Sequence, residues 1–220
     1  MYTLSFDTTA AACSILLKKG DHVISRYVEA MEFGQAEALI VKTNDILKQN
    51  NLLFSDIGAV FVCVGPGSFT GVRSSVSAAR TFQLACPNLL LGGVSAFDAW
   101  VLDLKQEERS EINAVIIETK REDFYVQLFD VELNKLTPPQ ALAYEDIIDM
   151  LKRKKVSLVG DGVERFLNRP SGLTLQSIKF GDFLSIENIW QAGMRQYENK
   201  RFDYPKPLYL RAPDVTMPKR

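Results

Sequence analysis

"IGAVFVCVGPGSFTGVRSSVSAAR", residues 57–80, decides how this chain folds. Its first eight residues form an unbroken apolar run of strand length, the pattern of a strand buried on both faces of a parallel sheet. Gly65, Pro66, Gly67 and Gly71 punctuate the next stretch, and residues 70–85 return to helical spacing. A buried strand, a glycine-rich turn and a helix in direct succession make a βα unit, so the chain is read as α/β.

Upstream, residues 2–6, 13–17 and 22–28 read as short strands, the last two joined by a tight Lys19-Gly20-Asp21 turn, which gives a three-stranded meander. Residues 35–49 carry Leu39, Ile40, Ile46 and Leu47 at helical spacing, leaving Ala38 and Val41 on the opposite face. Downstream, residues 89–94 form a strand, and Ser95 N-caps a helix running into the charged stretch KQEERSE, residues 105–111. Charge density rises there and a new strand pattern begins, so the boundary is placed between residues 104 and 105. The second half reads as a strand pair at 114–117 and 124–129, a helix at 144–151, a strand at 156–159 and a helix at 186–198. The proline-rich tail, residues 204–220, is expected to pack as an extended strap. The two halves, 1–104 and 105–220, loosely share a strands-then-βαβ order, as two related lobes would.

The chain has 220 residues, 46% hydrophobic and 24% charged, with a net charge of −1. That composition suits a globular protein with a sizeable core, and the balanced charge argues against broad affinity for nucleic acid or membrane. Local basic clusters at residues 152–155 and at Lys219 and Arg220 read as solvated faces, so weak, salt-sensitive tRNA binding is expected of the isolated chain. Cys13, Cys63 and Cys86 have no metal-type spacing and read as buried thiols in a reducing compartment. No signal peptide and no apolar run of membrane-spanning length is visible, and a cytoplasmic location is expected.

The glycine-rich turn has two readings. GPGSFTG lacks the Lys of a Walker loop and is not GxGxxG, yet a strand followed by a helix starting near Ser68 leaves N–H groups and a positive dipole end suited to an anion. Alternatively, the glycines let neighbouring segments approach closely.

The segments MYTLSFDTTAAACSILLKKG, GPGSFTGVRSSVSAARTF, GGVSAF, REDFYVQLFD, VGDGVERF and PLYLR together resemble the TsaB (YeaZ) family of bacterial tRNA threonylcarbamoyladenosine synthesis, in order and over nearly the whole chain. GPGSFTGVR is the most specific of them. The resemblance implies a two-lobed actin/Hsp70-like ATPase fold with ribonuclease-H-like lobes, and a non-catalytic subunit that activates a TsaD-like transferase. It further implies a TsaE-like ATPase in a larger complex, a homodimer when alone, tRNA met only through the complex, no cofactor of its own, and ATP or ADP at the complex interface.

Catalytic paralogues hold a metal with two His four apart on the first helix, where this sequence has Gln35 and Leu39. Related sequences often keep a His where Gln35 stands, so this chain departs further from the metal pattern. The first phosphate loop of actin-like ATPases reads here Asp7-Thr8-Thr9-Ala10, with Thr9 where a glycine would sit, and the second matches Glu118-Thr119-Lys120. Asp7 and Glu118 remain candidates for a facing carboxylate pair, and Asp7 also reads as a structural turn residue. The candidate phosphate contacts are Asp7, Gly65, Gly67, Ser68, Thr70, Gly71 and Arg73. The candidate partner interface is Ala38, Val41, Ser74, Ser77, Ala78 and Thr81, small residues that would admit a facing helix pair. No catalytic or metal-binding residue is assigned. The rival functions are an independent ATPase or small-molecule kinase and a glycoprotease-like endopeptidase, the latter without a nucleophile paired to a base.

Overall fold

The computed structural model describes residues 1–211; the expectations for the distal strap and for Lys219 and Arg220 fall outside the described residues. The chain opens with β1 (Tyr2–Asp7), β2 (Ala12–Lys19) and β3 (His22–Ala30) as an antiparallel meander. Helix α1 (Gln35–Gln49), β4 (Ile57–Cys63), α2 (Phe69–Ala85) and β5 (Leu90–Val94) come next, and β4 and β5 extend the sheet parallel to β1, in the order β3-β2-β1-β4-β5. After α3 (Ala96–Trp100), the second sheet is built from β6 (Ile112–Glu118), β7 (Phe124–Phe129), β8 (Gln140–Leu142), β9 (Lys155–Val159) and β10 (Thr174–Lys179). It has the order β10-β9-β6-β7-β8, with β6, β7 and β8 antiparallel and β9 and β10 parallel to β6. Renumbered within each sheet, both orders are 3-2-1-4-5 with the same strand directions. The duplication hinted at in the sequence is thus a repeat of the ribonuclease-H-like order, the arrangement of the actin-like fold.

Strand periodicity sets the layers. Along β4, Ile57, Val60 and Val62 point into one cluster with α1 and α2, while Ala59, Phe61 and Cys63 point into another. The second cluster also holds residues of α3, of α6 (Ile186–Glu198), and Val115, Ile117, Phe129 and Val159 of the other sheet. On the far side, α4 (Tyr144–Leu151) and α5 (Val163–Leu167) cover Ile112, Ala114, Ile116 and Leu158. The order is therefore α1/α2, first sheet, α3/α6, second sheet, α4/α5, with both faces of the central strands buried, as the unbroken apolar run of β4 requires, and the edge strands β3 and β10 more open.

The boundary at residue 104 separates the two sheets in sequence, but α6 from the second half packs against β1, β2, β4 and β5. α3 is shorter than the sequence suggests, because Val101 and Leu104 turn into the core through a 3-10 segment instead of continuing toward the charged stretch. β8, α5 and β10 are elements that the apolar pattern does not announce: β8 is three half-buried residues, α5 a five-residue turn, and β10 an edge strand. Cys13 and Cys63 are buried as expected, whereas Cys86, at the end of α2, is half-buried. Among the described residues no helix is long and apolar enough to cross a membrane.

Candidate functional site

The turn after β4 meets the hairpin between β1 and β2. Asp7 Oδ1 accepts the Thr9 N–H at 2.8 Å, an Asx-type turn that bends the chain back toward the loop. The Thr9 carbonyl then accepts the Ser68 N–H at 2.7 Å. Thr8 Oγ1 donates to the Gly71 carbonyl at 2.8 Å and shares a 2.7 Å hydrogen bond with the Ser75 hydroxyl. Ser68 N-caps α2, its hydroxyl accepting the Gly71 N–H, while the Val72 N–H goes to the Ser68 carbonyl. The N–H groups of Ser68, Gly71 and Val72 are thus committed to the chain itself.

The glycines explain how the segments come so close. A Cβ on Gly71 would lie 1.8 Å from the Thr8 carbonyl oxygen, and one on Gly67 would lie 2.6 Å from that of Thr9. Of the two readings of the loop, the geometry displays close approach. Asp7, Gly67, Ser68 and Gly71 are brought together around Thr8 and Thr9. Gly65 is buried at φ +95, while Thr70 and Arg73 face outward from the first turn of α2. Arg73 lies over the Phe69 ring at 3.8 Å and donates to the Tyr209 hydroxyl at 2.9 Å.

Electrostatics follow from burial. Burial pushes the Asp7 carboxyl up, against hydrogen bonds from Thr9, Cys63 and Thr8, and the same burial beside Asp7 pushes the Cys63 thiol up. Glu118 does not stand free as a member of a facing pair. Arg165 grips both its oxygens, Nε to Oε2 at 2.5 Å and Nη2 to Oε1 at 2.8 Å, and lies over the Phe124 ring. Burial raises its pKa, but the Arg165 and Lys120 hydrogen bonds outweigh that and leave it lowered. Asp161, which the sequence did not single out, accepts the Glu118 N–H at 2.9 Å, and burial raises its pKa to about 6. The Gly160-Asp161-Gly162 turn was the signal that could have exposed it.

The first-helix positions are inward and occupied. Gln35 Nε2 donates to the Met31 carbonyl at 2.8 Å, and Leu39 is fully buried in the core. Among the described residues no group of three or more His, Cys, Asp or Glu is arranged to hold a metal ion.

The outer face of α1 and α2 differs in part from the expectation. Val41 is 56% exposed, with Ile40 beside it at 49%, Phe33 at 86% and Leu84 at 84%. Helical spacing assigns Ile40 to the core, but it sits about 100° around the helix from Leu39, and Thr43 takes the inward position. Ala38 is not on the wet face; it is half-buried against the core, and Ala78 is buried within it, between α2 and the sheet. Neither is part of the open surface. Ser77 and Thr81 are exposed and Ser74 is half-exposed; the Ser74 and Thr81 hydroxyls donate to carbonyls four residues earlier, so they lie flat along the helix. On α2 the open face is therefore a stripe of Thr70, Ser74, Ser77, Thr81 and Leu84, and on α1 it holds Ile40 and Val41.

A family model described as "TsaD: tRNA N6-adenosine threonylcarbamoyltransferase" matches residues 34–180, about two thirds of the chain. The tRNA threonylcarbamoyladenosine biosynthesis protein TsaB of Bacillus subtilis is 25% identical over 157 residues, 70% of this chain and 67% of that protein. Its namesake in Buchnera aphidicola is 25% identical over 219 residues, covering 94% and 96%. The chain belongs to this family. YeaZ from Pseudomonas aeruginosa superposes with a TM-score of 0.79 at 19% identity, over 95% of this chain and 99% of that one, which shows a shared fold. In the geometry above, GPGSFTG is the loop stitched to Thr8 and Thr9, and PLYLR is the strap whose Tyr209 holds Arg73.

Proposed function

We propose that this protein is a non-catalytic subunit of bacterial tRNA threonylcarbamoyladenosine synthesis, binding a TsaD-like catalytic subunit through the outer face of α1 and α2 and activating it. The observation that carries the reading is exposure on both helices: Ile40 and Val41 of α1 and Leu84 of α2 are exposed apolar side chains, and α2 also turns Ser77 and Thr81 to solvent with Ser74 half-exposed. Exposed apolar side chains next to small ones suit a facing helix pair, since small residues let backbones approach and the apolar ones supply the anchors. Self-pairing through the same face would be isologous, giving a homodimer when the partner is absent.

The inner chemistry supports a binding role over the family model's transferase activity. Gln35 and Leu39 replace a metal-binding pair, Glu118 is held by Arg165, and the N–H groups of Ser68, Gly71 and Val72 are bonded to Thr9 and Ser68. An independent ATPase or kinase and an endopeptidase are disfavoured on the same grounds. In this reading the protein works in the cytoplasm, meets tRNA only through the complex with a TsaE-like ATPase, and carries no cofactor of its own; ATP or ADP would sit at the junction with the partner.

Ser77→Trp and Thr81→Arg test this. Both positions are exposed, so circular dichroism should remain that of the wild type, while pull-down of the TsaD-like subunit and restoration of the modified nucleoside in a deficient strain should be lost. Wild-type binding by both folded variants would place the interface elsewhere.

A further inference from the structure

Two-lobed proteins close around ligands that touch both walls of the cleft. In this chain both walls are touched by its own tail. Residues 202–211 run extended: Leu208 and Leu210 turn inward onto the core cluster that contains residues of both sheets, while Tyr209 between them turns outward, the period-2 register of an extended chain. On the first lobe, the Gly93 N–H donates to the Asp203 carbonyl at 2.6 Å, the Leu208 N–H donates to the Val64 carbonyl at 2.8 Å, and Arg80 donates to the Pro205 carbonyl. The Tyr209 ring stacks on Phe69 at 5.4 Å. On the second lobe, Arg211 pairs with Asp123 and its guanidinium faces the Tyr125 ring at 5.8 Å. The cavity of about 360 Å³ that remains is lined on one side by Pro66, Gly67 and Val72, on the other by Thr119, Arg121 and Tyr125, and across the middle by residues 208–211.

Gly93 shows that the first lobe is shaped to receive the segment. A Cβ there would lie 3.0 Å from the Pro205 Cα and 3.1 Å from the Asp203 carbonyl oxygen, so a side chain at this strand position would push the tail away. The same Cβ would also lie 2.9 Å from Val64 Cγ1, so Gly93 sits in a space shared by the end of β4 and the strap.

We infer that residues 202–211 are a built-in occupant of the interlobe cleft, holding the two lobes in their closed relation and fixing the first turn of α2 through Phe69 and Arg73. The segment replaces an external cleft ligand: it supplies apolar insertion at Leu208, main-chain hydrogen bonds to β5 and to Val64 just after β4, a ring stack on α2, and a charged contact on the second lobe. The clamp stands whichever partner binds the outer face, since every contact that makes it lies inside a single chain.

The test is amide hydrogen exchange of the isolated full chain, comparing wild type with Tyr209→Ala and Leu208→Asp. Tyr209 is exposed, so its truncation leaves the core untouched and the variant folded. A clamp predicts that exchange rises together at residues 66–73 on the first wall and 119–125 on the second, at least tenfold for Leu208→Asp and severalfold for Tyr209→Ala, with the central strands β1, β4 and β6 still protected. Faster exchange confined to residues 201–211, with both walls unchanged in the folded Tyr209→Ala chain and in Leu208→Asp, would overturn it: the tail would then only lie on the cleft.

Discussion

Gly71→Ala sets two physical effects against each other at one atom. Gly71 lies in the first turn of α2, and replacing a helical glycine by alanine normally stabilises by about 1 kcal/mol. Here the added Cβ would fall 1.8 Å from the Thr8 carbonyl oxygen and 2.8 Å from its carbon. Both belong to backbone, so no side chain can swing aside. Separating α2 from the hairpin costs about 1–3 kcal/mol as an overpacking strain. It also stretches the Thr8 hydroxyl bond to Gly71 and the Ser68 bond to Thr9, each worth about 0.5–1.5 kcal/mol net. After subtracting the propensity gain, the balance is a destabilisation of about 3 kcal/mol, a large part of the stability of an ordinary domain. Urea unfolding followed by far-UV circular dichroism should show the midpoint falling by roughly 1 M or more at an unchanged slope. Ser77→Ala, on the exposed face of the same helix, provides the control and should shift it little. A Gly71→Ala midpoint at or above that of the wild type would refute the claim that this glycine exists for close approach.

Asp161→Asn should be stabilising at neutral pH and neutral near pH 4. The carboxyl of Asp161 is raised to about 6 by burial, so the folded state holds a proton that the unfolded state has released; stability is therefore lost as pH rises from about 4 to about 6. Asn keeps the acceptor for the Glu118 N–H and removes the buried charge, a gain of up to about 3 kcal/mol at pH 7 for a shift of about two units; a thermal midpoint lower than wild type at pH 7 would contradict it. Because Gln35 and Leu39 occupy the first-helix positions, the purified chain should carry no stoichiometric zinc or iron and should hydrolyse ATP no faster than buffer. Elemental analysis finding one tightly held metal per chain would contradict that expectation.

Where the apolar signal was strong and both faces of a strand or one full face of a helix were buried, the sequence could be read closely. β4, α4 and α6 lie within a residue of their expected limits, because an unbroken apolar run ending at a glycine and a clean 3.6 period leave little room for another choice. Ile40 shows the limit of the helical wheel, since a position about 100° from the core centre is buried only if a neighbour covers that flank, and none does here. Ala38 and Ala78 failed in the other direction: small side chains carry almost no pattern, and only the packing partner decides whether they face in or out. The glycine loop was legible as a turn but not in its use. Whether an N–H meets an anion or a carbonyl depends on Thr8 and Thr9, about sixty residues away in sequence and joined to the loop only by the fold. The Arg165 grip on Glu118 was hidden for the same reason.

The placement of α6 between the sheets has a consequence for how the protein is made. The inner face of the first sheet, including Phe61 and Val94, is finished by Ile186, Ile189 and Ala192, so a nascent chain that has just completed β5 exposes that face to water. At roughly 5–20 residues per second, the approximately one hundred residues that still separate β5 from the end of α6 take about 5–20 s to synthesise. During that interval the first half is a half-covered sheet with apolar side chains and an open β5 edge, the kind of surface that chaperones hold and that aggregates when they do not. A stop codon anywhere before α6 should therefore yield insoluble fragments from an otherwise intact first half, since a helix made about a hundred residues later is the one that makes the first strands stable.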